Sequence, residues 1–249
     1  NLKIKTPENL KKEENFIKTT EFDLGIVVAY GQIIPKSILE SCKLGFINIH
    51  ASLLPKYRGA APIQRSLINL EKFTGISFMK LNNVLDSGPI FNQYKIPISK
   101  TDNSETLSKK LSELSAEKIT QNIELIFSNK ATFVDQIHNE ASYAEKINKM
   151  EGKINWNESA LNILGKVNGL FPNPGAWFEF KKERYKIVKS ELSELTGKPG
   201  EVLDDLLTVG CGKNSIKILE IQKQGKKVQN TSSFLLGNKI KKGVSLKHE

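Results

Sequence analysis

The sequence predicts an α/β domain with a largely parallel sheet, followed by a small β-barrel domain. A continuous apolar run at residues 24–31 ends in glycine, which is typical of a buried parallel strand. Helical and strand patterns then alternate up to about residue 142, as they do in α/β domains. Short strands separated by glycine-containing turns follow, and this spacing is typical of a small barrel.

The elements of the first domain follow from apolar periodicity and from proline. Pro35 and Pro62 open helices, because proline suits the first helical turn. Leu107 and Leu111 begin a series of apolar residues at helical spacing, which predicts a long helix. In sheets of this kind ligands bind beyond the carboxyl ends of the strands. The predicted helices cover residues 8–20, 35–42, 63–70 and 104–128, and the predicted strands cover 24–31, 44–50, 74–81 and 90–98.

The sequence changes in character after about residue 142. Residues 143–153 are charged and predict a linker, and a helix over 159–170 is ended by the FPNPG run at 171–175. We therefore predict a first domain at 1–142 and a second at 154–249. Strands of the second domain are predicted at 176–180, 185–192, 200–203, 207–209 and 215–222.

Positive charge is concentrated in the second half of the chain. The net charge is +10; residues 1–144 contribute +3 (18 Lys/Arg, 15 Asp/Glu) and residues 145–249 contribute +7 (19 and 12). An excess of this kind favours an acidic partner, of which nucleic acid is the usual one, while an ordinary solvated surface stays the alternative. The Lys-rich segments of this part include one with Lys181, Lys182, Arg184, Lys186 and Lys189.

Cysteine and histidine usage points away from disulfides and metals. Cys42 and Cys211 lie far apart without a CxxC motif, so we expect no disulfide framework and a reducing cytoplasm. His138 and His248 lie far from His50 in the sequence and lack ligand spacing, so no metal site is expected. No apolar run approaches the roughly 20 residues that a membrane helix needs.

Two polar residues on the strand at 44–50 are the first candidates for chemistry. Asn48 and His50 are two residues apart, so they point to one face of the strand. An asparagine amide can donate to a developing oxyanion, and a histidine can move a proton near neutral pH. A pair of structural polar residues at a strand end is the alternative.

Asp86 and a group of basic residues are further candidates. Asp86 lies in the turn LDSG, where an aspartate usually bonds its own backbone. If that turn faces the Asn–His pair, its carboxylate can orient the imidazole, but spacing alone does not place it there. A basic rim for an anionic substrate is expected from Lys56, Tyr57, Arg58 and Arg65, with an ordinary solvated surface as the alternative.

Six segments of the sequence match the pattern of one known family. The most specific is a strand carrying N-x-H that continues into SLLP, followed by a turn containing LDxG. The matching segments are NIHASLLP (48–55), YRG (57–59), AAPIQR (60–65), LDSG (85–88), VAYG (28–31) and FPNPG (171–175).

On these segments the chain resembles the folate-dependent formyltransferases, and AAPIQR resembles the branch that formylates initiator methionyl-tRNA. The resemblance covers the whole chain. It implies a Rossmann-like formyltransferase domain, present in part, and a C-terminal OB-like β-barrel that binds tRNA. It also implies 10-formyltetrahydrofolate as formyl donor, no metal, a monomer and a role in translation initiation.

The resemblance also implies roles for particular residues. Asn48, His50 and Asp86 become the catalytic residues. The folate site is expected to include Ser52, Leu53, Leu54, Pro55, Tyr30 and Gly31, and the tRNA-binding residues are expected to be Arg58, Arg65, Lys181, Lys182, Arg184 and Lys186.

Two features depart from the family pattern. The family has a strand, a glycine-containing loop and a helix before the point that matches residue 1, so we expect the chain to be a fragment that is poorly folded or inactive alone. Pro89 stands where many tRNA formyltransferases carry an acidic residue, although relatives acting on purine intermediates have Gly-Pro there.

Two other functions remain open at this point. A formyltransferase acting on an amino-sugar nucleotide would share the three catalytic residues and the C-terminal barrel. A non-catalytic folate- or RNA-binding module would not need Asn48, His50 and Asp86 intact. The salt dependence of RNA binding separates a tRNA enzyme from a sugar-nucleotide enzyme.

Overall fold

The computed structural model describes residues 4–238 and 240–247, so His248 lies outside the described residues. The chain forms two compact units. The first contains the residues up to Pro62, with Phe73–Pro97 and Lys110–Glu145; the second contains Ile63–Lys72, Ile98–Lys109 and the residues from Lys146 onward. The domain limits at residues 142 and 153 stay a prediction.

The first unit is built on a four-stranded mixed sheet. Its strands are ordered β1 (Gly25–Val28), β2 (Phe46–His50), β3 (Phe73–Lys80) and β4 (Ile90–Pro97). Only β1 and β2 are parallel; β2–β3 and β3–β4 are antiparallel, so the prediction of a largely parallel sheet is wrong for the described strands. The apolar pattern of a buried strand is the same in either direction, which is why it could not reveal this.

The helices of the first domain lie close to their predicted positions. The helical stretch near the start consists of a 3₁₀ turn at Leu10–Glu13 and α1 (Glu14–Thr19). It begins later than predicted because the Asn9 side chain caps it, accepting from the Lys11 amide. The other helices are α2 (Lys36–Leu39), α3 (Pro62–Ile68) and α4 (Ser104–Phe127).

In the second unit a helix packs closely on α3. This helix, α5 (Ala160–Leu170), lies where the sequence predicts one, and the Ser159 hydroxyl caps it by accepting from the Asn162 amide. A Cβ at Gly165 would lie 3.0 Å from the Ile68 carbonyl oxygen, and one at Gly169 would lie 2.8 Å from that of Gln64. Because these glycines are four residues apart, they share one helical face and permit the close approach.

A five-stranded antiparallel sheet forms the rest of the second unit. Its buried core is partly aromatic: Phe178 stacks on Tyr185, which meets Phe234 edge to face. The strand predicted at 200–203 is reduced to isolated bridges at Glu201 and Val202. In the described part of the chain, no helix is long and apolar enough to cross a membrane. The elements are β5 (Ala176–Phe180), β6 (Glu183–Ser193), β7 (Thr208–Gly210), β8 (Ser215–Lys223), β9 (Gln229–Asn230) and α6 (Thr231–Gly237), with strand order β5-β6-β8-β7 and β9 beside β8.

Candidate active site

Asn48 and His50 lie on strand β2, at the start of a loop that is hydrogen-bonded within itself and to β3. His50 is 6% exposed and Asn48 is partly buried. In the loop that follows, the Ser52 hydroxyl donates to the Lys56 carbonyl at 2.6 Å. The Ser77 hydroxyl of β3 donates to the Ser52 carbonyl at 2.6 Å and accepts from the Leu54 amide at 3.0 Å. The loop is therefore anchored to the neighbouring strand.

Asp86 lies against both of these residues. Its Oδ1 is 3.5 Å from Asn48 Nδ2, and its Oδ2 is 3.6 Å from His50 Nδ1. The Gly59 amide donates to Oδ2 at 2.8 Å, and Asp86 is only 9% exposed. The structure thus brings together the three side chains that the sequence singled out, including the one that spacing could not place.

A backbone carbonyl fixes the proton arrangement of His50. His50 Nε2 lies 2.8 Å from the carbonyl oxygen of Tyr57. Because a carbonyl only accepts hydrogen bonds, Nε2 carries a hydrogen and donates it. Nδ1, which faces Asp86, is therefore the ring atom that can take up and release a proton. Nothing in the sequence indicated that Tyr57 would orient the imidazole through its main chain.

The residues predicted for the folate site differ in exposure. Tyr30 is 40% exposed and Gly31 is also exposed. Leu53 and Pro55 are partly buried, whereas Ser52 and Leu54 are 1% and 4% exposed. Ser52 and Leu54 thus shape the loop from within. A folate-binding role for this set stays a prediction.

Exposed apolar side chains flank the site on two sides. Val28, Tyr30 and Ile33 lie at and beyond the end of β1, which pairs with β2, and they are 55%, 40% and 92% exposed. Val84 and Leu85, each 62% exposed, directly precede Asp86. Two apolar residues directly before a polar turn are the sequence feature from which the exposure of Val84 and Leu85 could have been predicted.

Arg58 does not belong to a basic rim, and that prediction is wrong for it. Its side chain is 2% exposed, and Nε and Nη2 donate to Gln136 Oε1 at 3.0 and 2.7 Å. His138 Nδ1 lies 3.4 Å from Nη1, so His138 is close to the site despite its distance in sequence. Within the described residues, no group of three or more His, Cys, Asp or Glu side chains is arranged to hold a metal ion.

Arg65 also has a partner within its own unit. It pairs through both terminal nitrogens with Glu151, at 2.5 and 3.1 Å. The hydrogen bond from Arg65 is the main reason that the pKa of Glu151 lies below its usual value. Glu151 Oε1 also accepts from the Asn148 amide, which completes a capping box. A tRNA-binding role for Arg65 stays a prediction. To bind a phosphate, Arg65 would have to leave Glu151 or bind both groups at once.

Four of the residues predicted to bind tRNA lie on or next to one hairpin of the second unit, β5–β6. Lys181 and Lys182 form the exposed two-residue turn between β5 and β6. The Arg184 guanidinium lies 3.7 Å from the centre of the Trp177 ring, and Lys186 Nζ donates to the Pro172 carbonyl at 3.2 Å. The two turn lysines are thus the more available cations of this set.

Comparison with known proteins identifies a family. A model of formyl transferases matches residues 5–123, and one of the formyl transferase C-terminal domain matches residues 146–239. The chain is 58% identical to the methionyl-tRNA formyltransferase of Pelagibacter ubique strain HTCC1062, with 98% of this chain and 80% of the relative covered. It is 46% identical to that of Thermodesulfovibrio yellowstonii, with 96% and 78% covered.

Solved structures agree at the level of the fold. HypX from Aquifex aeolicus, in complex with tetrahydrofolic acid, superposes with a TM-score of 0.69 at 19% identity, covering 91% of this chain. The chain spans 40% of the length of that protein. WlaRD, a sugar 3N-formyl transferase, gives 0.64 at 24% identity, covering 81% of this chain and 73% of that one. With the relatives above, the fold and the site identify this chain as a member of the methionyl-tRNA formyltransferase family.

Proposed function

We propose that this chain transfers the formyl group of 10-formyltetrahydrofolate to the α-amine of methionyl initiator tRNA. The observation that carries the proposal is the meeting of Asn48, His50 and Asp86 at the end of β2. It occurs in a chain that is 58% identical to a methionyl-tRNA formyltransferase.

The residues around the site fit a folate. A folate offers a flat ring with a polar edge, which suits apolar walls beside hydrogen-bonding groups. Val28, Tyr30, Ile33, Val84 and Leu85 would supply the walls, because they are exposed on the segments that flank Asn48 and Asp86. When bound, the donor supplies a formyl carbon that is already activated for attack by an amine.

Asn48 is suited to stabilise the charge that develops on the formyl oxygen. Its Nδ2 carries two hydrogens, and only one can point to Asp86 Oδ1, 3.5 Å away. The other hydrogen is available to an oxygen that gains negative charge as the amine attacks. One neutral donor of this kind typically contributes about 10²–10³ in kcat.

His50 is suited to move the proton. The attacking amine must lose a proton, and the nitrogen of the donor must gain one as its bond to the formyl carbon breaks. Nδ1 of His50 is the free ring position, because Nε2 donates to the Tyr57 carbonyl. Asp86 Oδ2 lies 3.6 Å from Nδ1, on the side of the ring where the proton would be accepted.

The second unit is suited to hold the acceptor RNA. Lys181 and Lys182 are exposed at the hairpin tip, and the residues from 145 onward carry a net charge of +7. A surface of this sign attracts a phosphate backbone. The cytoplasm is the compartment that fits a tRNA substrate, and the monomeric state stays a prediction.

The amino-sugar alternative is less well supported. Sugar formyl transferases match this chain at 24% identity, whereas several relatives named methionyl-tRNA formyltransferase match at 35–58%. Likeness at 24% supports a shared fold only. The exposed lysines of the β5–β6 turn further favour a polyanionic acceptor over a single sugar nucleotide.

Formyl transfer to initiator methionyl-tRNA tests the proposal directly. The protein produced from its complete reading frame should form formyl-methionyl-tRNA from 10-formyltetrahydrofolate, and His50→Ala should abolish turnover while tRNA affinity stays within about twofold. Equal loss of both would contradict the catalytic role of His50. Transfer to an amino-sugar nucleotide without transfer to tRNA would establish the alternative function.

A further inference from the structure

Gln136 uses its whole side-chain amide inside the protein. It is 7% exposed, and Oε1 accepts two hydrogen bonds from Arg58. Nε2 donates to the carbonyl oxygens of Asp86 and Gly88, at 2.9 and 2.7 Å. Both amide hydrogens and both oxygen lone pairs are therefore in use, which is the most that this side chain can do.

The two carbonyls that Gln136 binds belong to the turn that presents Asp86. Asp86 has a φ of +45°, a left-handed conformation that costs free energy for a residue with a side chain. On its other side the turn packs on β3, where a Cβ at Gly88 would lie only 1.8 Å from the Lys80 carbonyl oxygen. Gln136 thus closes the open side of a turn whose conformation needs external support.

Arg58 connects Gln136 to the residue that binds the Asp86 carboxylate. Its guanidinium binds Gln136, and the next residue, Gly59, donates its amide to the Asp86 carboxylate at 2.8 Å. Asp86 is therefore held by its carbonyl through Gln136 and by its carboxylate through Gly59. Both supports depend on Arg58 and Gly59, which are adjacent in the loop after β2.

We propose that Gln136 is a positioning residue that sets the Asp86 carboxylate relative to His50 and Asn48. It acts through the main-chain carbonyls of Asp86 and Gly88. This inference rests on the proposed function, because it assigns Gln136 a part in that same reaction. Gln136 lies fifty residues after Asp86, between the bridge residue Val134 and the 3₁₀ turn at His138–Glu140, so its sequence gives no sign of this part.

Two variants distinguish the hydrogen bonds that Gln136 accepts from Arg58 from those that it donates to the turn. Gln136→Glu keeps two oxygens for Arg58 but places an oxygen where the carbonyls of Asp86 and Gly88 need a donor. Gln136→Met keeps the length of the side chain and loses both sets of hydrogen bonds. Asn122→Leu is the matched control, because Asn122 is fully buried and hydrogen-bonded to Asn92 and Tyr94, away from the Asp86 turn.

We expect both Gln136 variants to lower kcat by about 10- to 100-fold, as a misplacement of about 1 Å can do. KM for the folate and for the tRNA should stay within about twofold, because no binding group is removed. Asn122→Leu should lower the melting temperature by at least as much and leave kcat within about twofold. A normal kcat in Gln136→Glu, or an equal loss of kcat in Asn122→Leu, would overturn the proposal.

A double-mutant cycle tests whether Gln136 acts through Asp86. In an Asp86→Asn background, which should keep some residual turnover, Gln136→Met should cost less than threefold; a full second loss would mean an independent, merely structural effect. If the wild type transfers no formyl group at all, the proposed function fails by itself. The ¹⁵N signals of the His50 ring then decide: a change in Gln136→Met but not in Asn122→Leu supports the positioning role, and unchanged signals in Gln136→Met refute it.

Discussion

In the turn between β5 and β6, we expect the same two residues to lower the stability of the protein and to favour RNA binding. Phe180 pairs with Glu183, which leaves Lys181 and Lys182 as a two-residue loop with φ values of +52° and +65°. Positive φ at both positions is the geometry of a type I′ turn, which strongly prefers Asn-Gly. Two lysines here are unfavourable for the backbone, and both residues are exposed at the tip of a hairpin.

Replacing the pair by Asn-Gly should stabilise the protein. A left-handed conformation costs a residue with a side chain roughly 1–2 kcal/mol, and this cost falls for asparagine and vanishes for glycine. The added glycine increases the freedom of the unfolded chain, which offsets about 0.4–1 kcal/mol. The net gain in the free energy of unfolding should be about 1 kcal/mol, or about 2–4 °C in the melting temperature for a chain of this size.

The same replacement should weaken tRNA binding if the lysines bind phosphates. The slope of log affinity against log salt should fall by about 0.7–0.9 for each lysine–phosphate interaction that the replacement removes. Lys181→Gln with Lys182→Gln is the matched control, since it removes the charges and keeps the backbone conformation. It should weaken binding equally and should not raise the melting temperature.

Two results would refute this reasoning. Equal melting temperatures for the Asn-Gly and Gln-Gln variants would show that the turn stores no relievable strain. An unchanged salt slope in both would remove Lys181 and Lys182 from the RNA-binding surface and would shift the search to lysines on the other strands of the second unit.

Two further predictions follow from the titratable groups. Arg65 holds the pKa of Glu151 below its usual value, so this pair stabilises the fold above the unfolded pKa of about 4.5, and the contribution is lost as pH falls through the lower folded value. Arg65→Met should reduce the fall in the free energy of unfolding between pH 6 and pH 3, by at most about 1 kcal/mol because the pair is partly exposed. Urea unfolding at the two pH values measures this, and identical pH dependence in both proteins would contradict the prediction. Burial raises the pKa of the Cys211 thiol to about 11, so iodoacetamide at pH 8 should leave Cys211 unmodified in the folded protein and modify it in urea, with the less buried Cys42 as internal reference. Rapid alkylation of native Cys211 would contradict its burial.

Local periodicity was enough to predict part of the site. Asn48 and His50 lie two apart on a strand, so their shared face follows from strand geometry alone. The positions of α4 and α5 likewise follow from residue type and spacing. Each of these features depends on residues within one turn or one strand of each other.

Features that depend on distant residues could not be predicted in this way. Asp86 lies 36 residues after His50, and only the fold shows that its carboxylate comes within 3.6 Å of the imidazole. Arg58 looked like a surface cation, but a partner 78 residues away, Gln136, holds it inside. The sequence revealed the chemical type of each group but not its burial, and burial decides whether an arginine binds a substrate or supports a turn.

The run Tyr57-Arg58-Gly59 shows how far such internal support goes. The carbonyl of Tyr57 orients His50, the side chain of Arg58 holds Gln136, and the amide of Gly59 holds the Asp86 carboxylate. Two of the three act through the main chain, and they need φ values of +61° at Tyr57 and +113° at Gly59. At Gly59 any side chain would also meet the Ala144 carbonyl, with Cβ only 2.9 Å from its oxygen. The run therefore supports the catalytic groups through three contacts. Its charged residue, Arg58, binds Gln136 inside the protein rather than a ligand at the surface, because it provides one of these contacts.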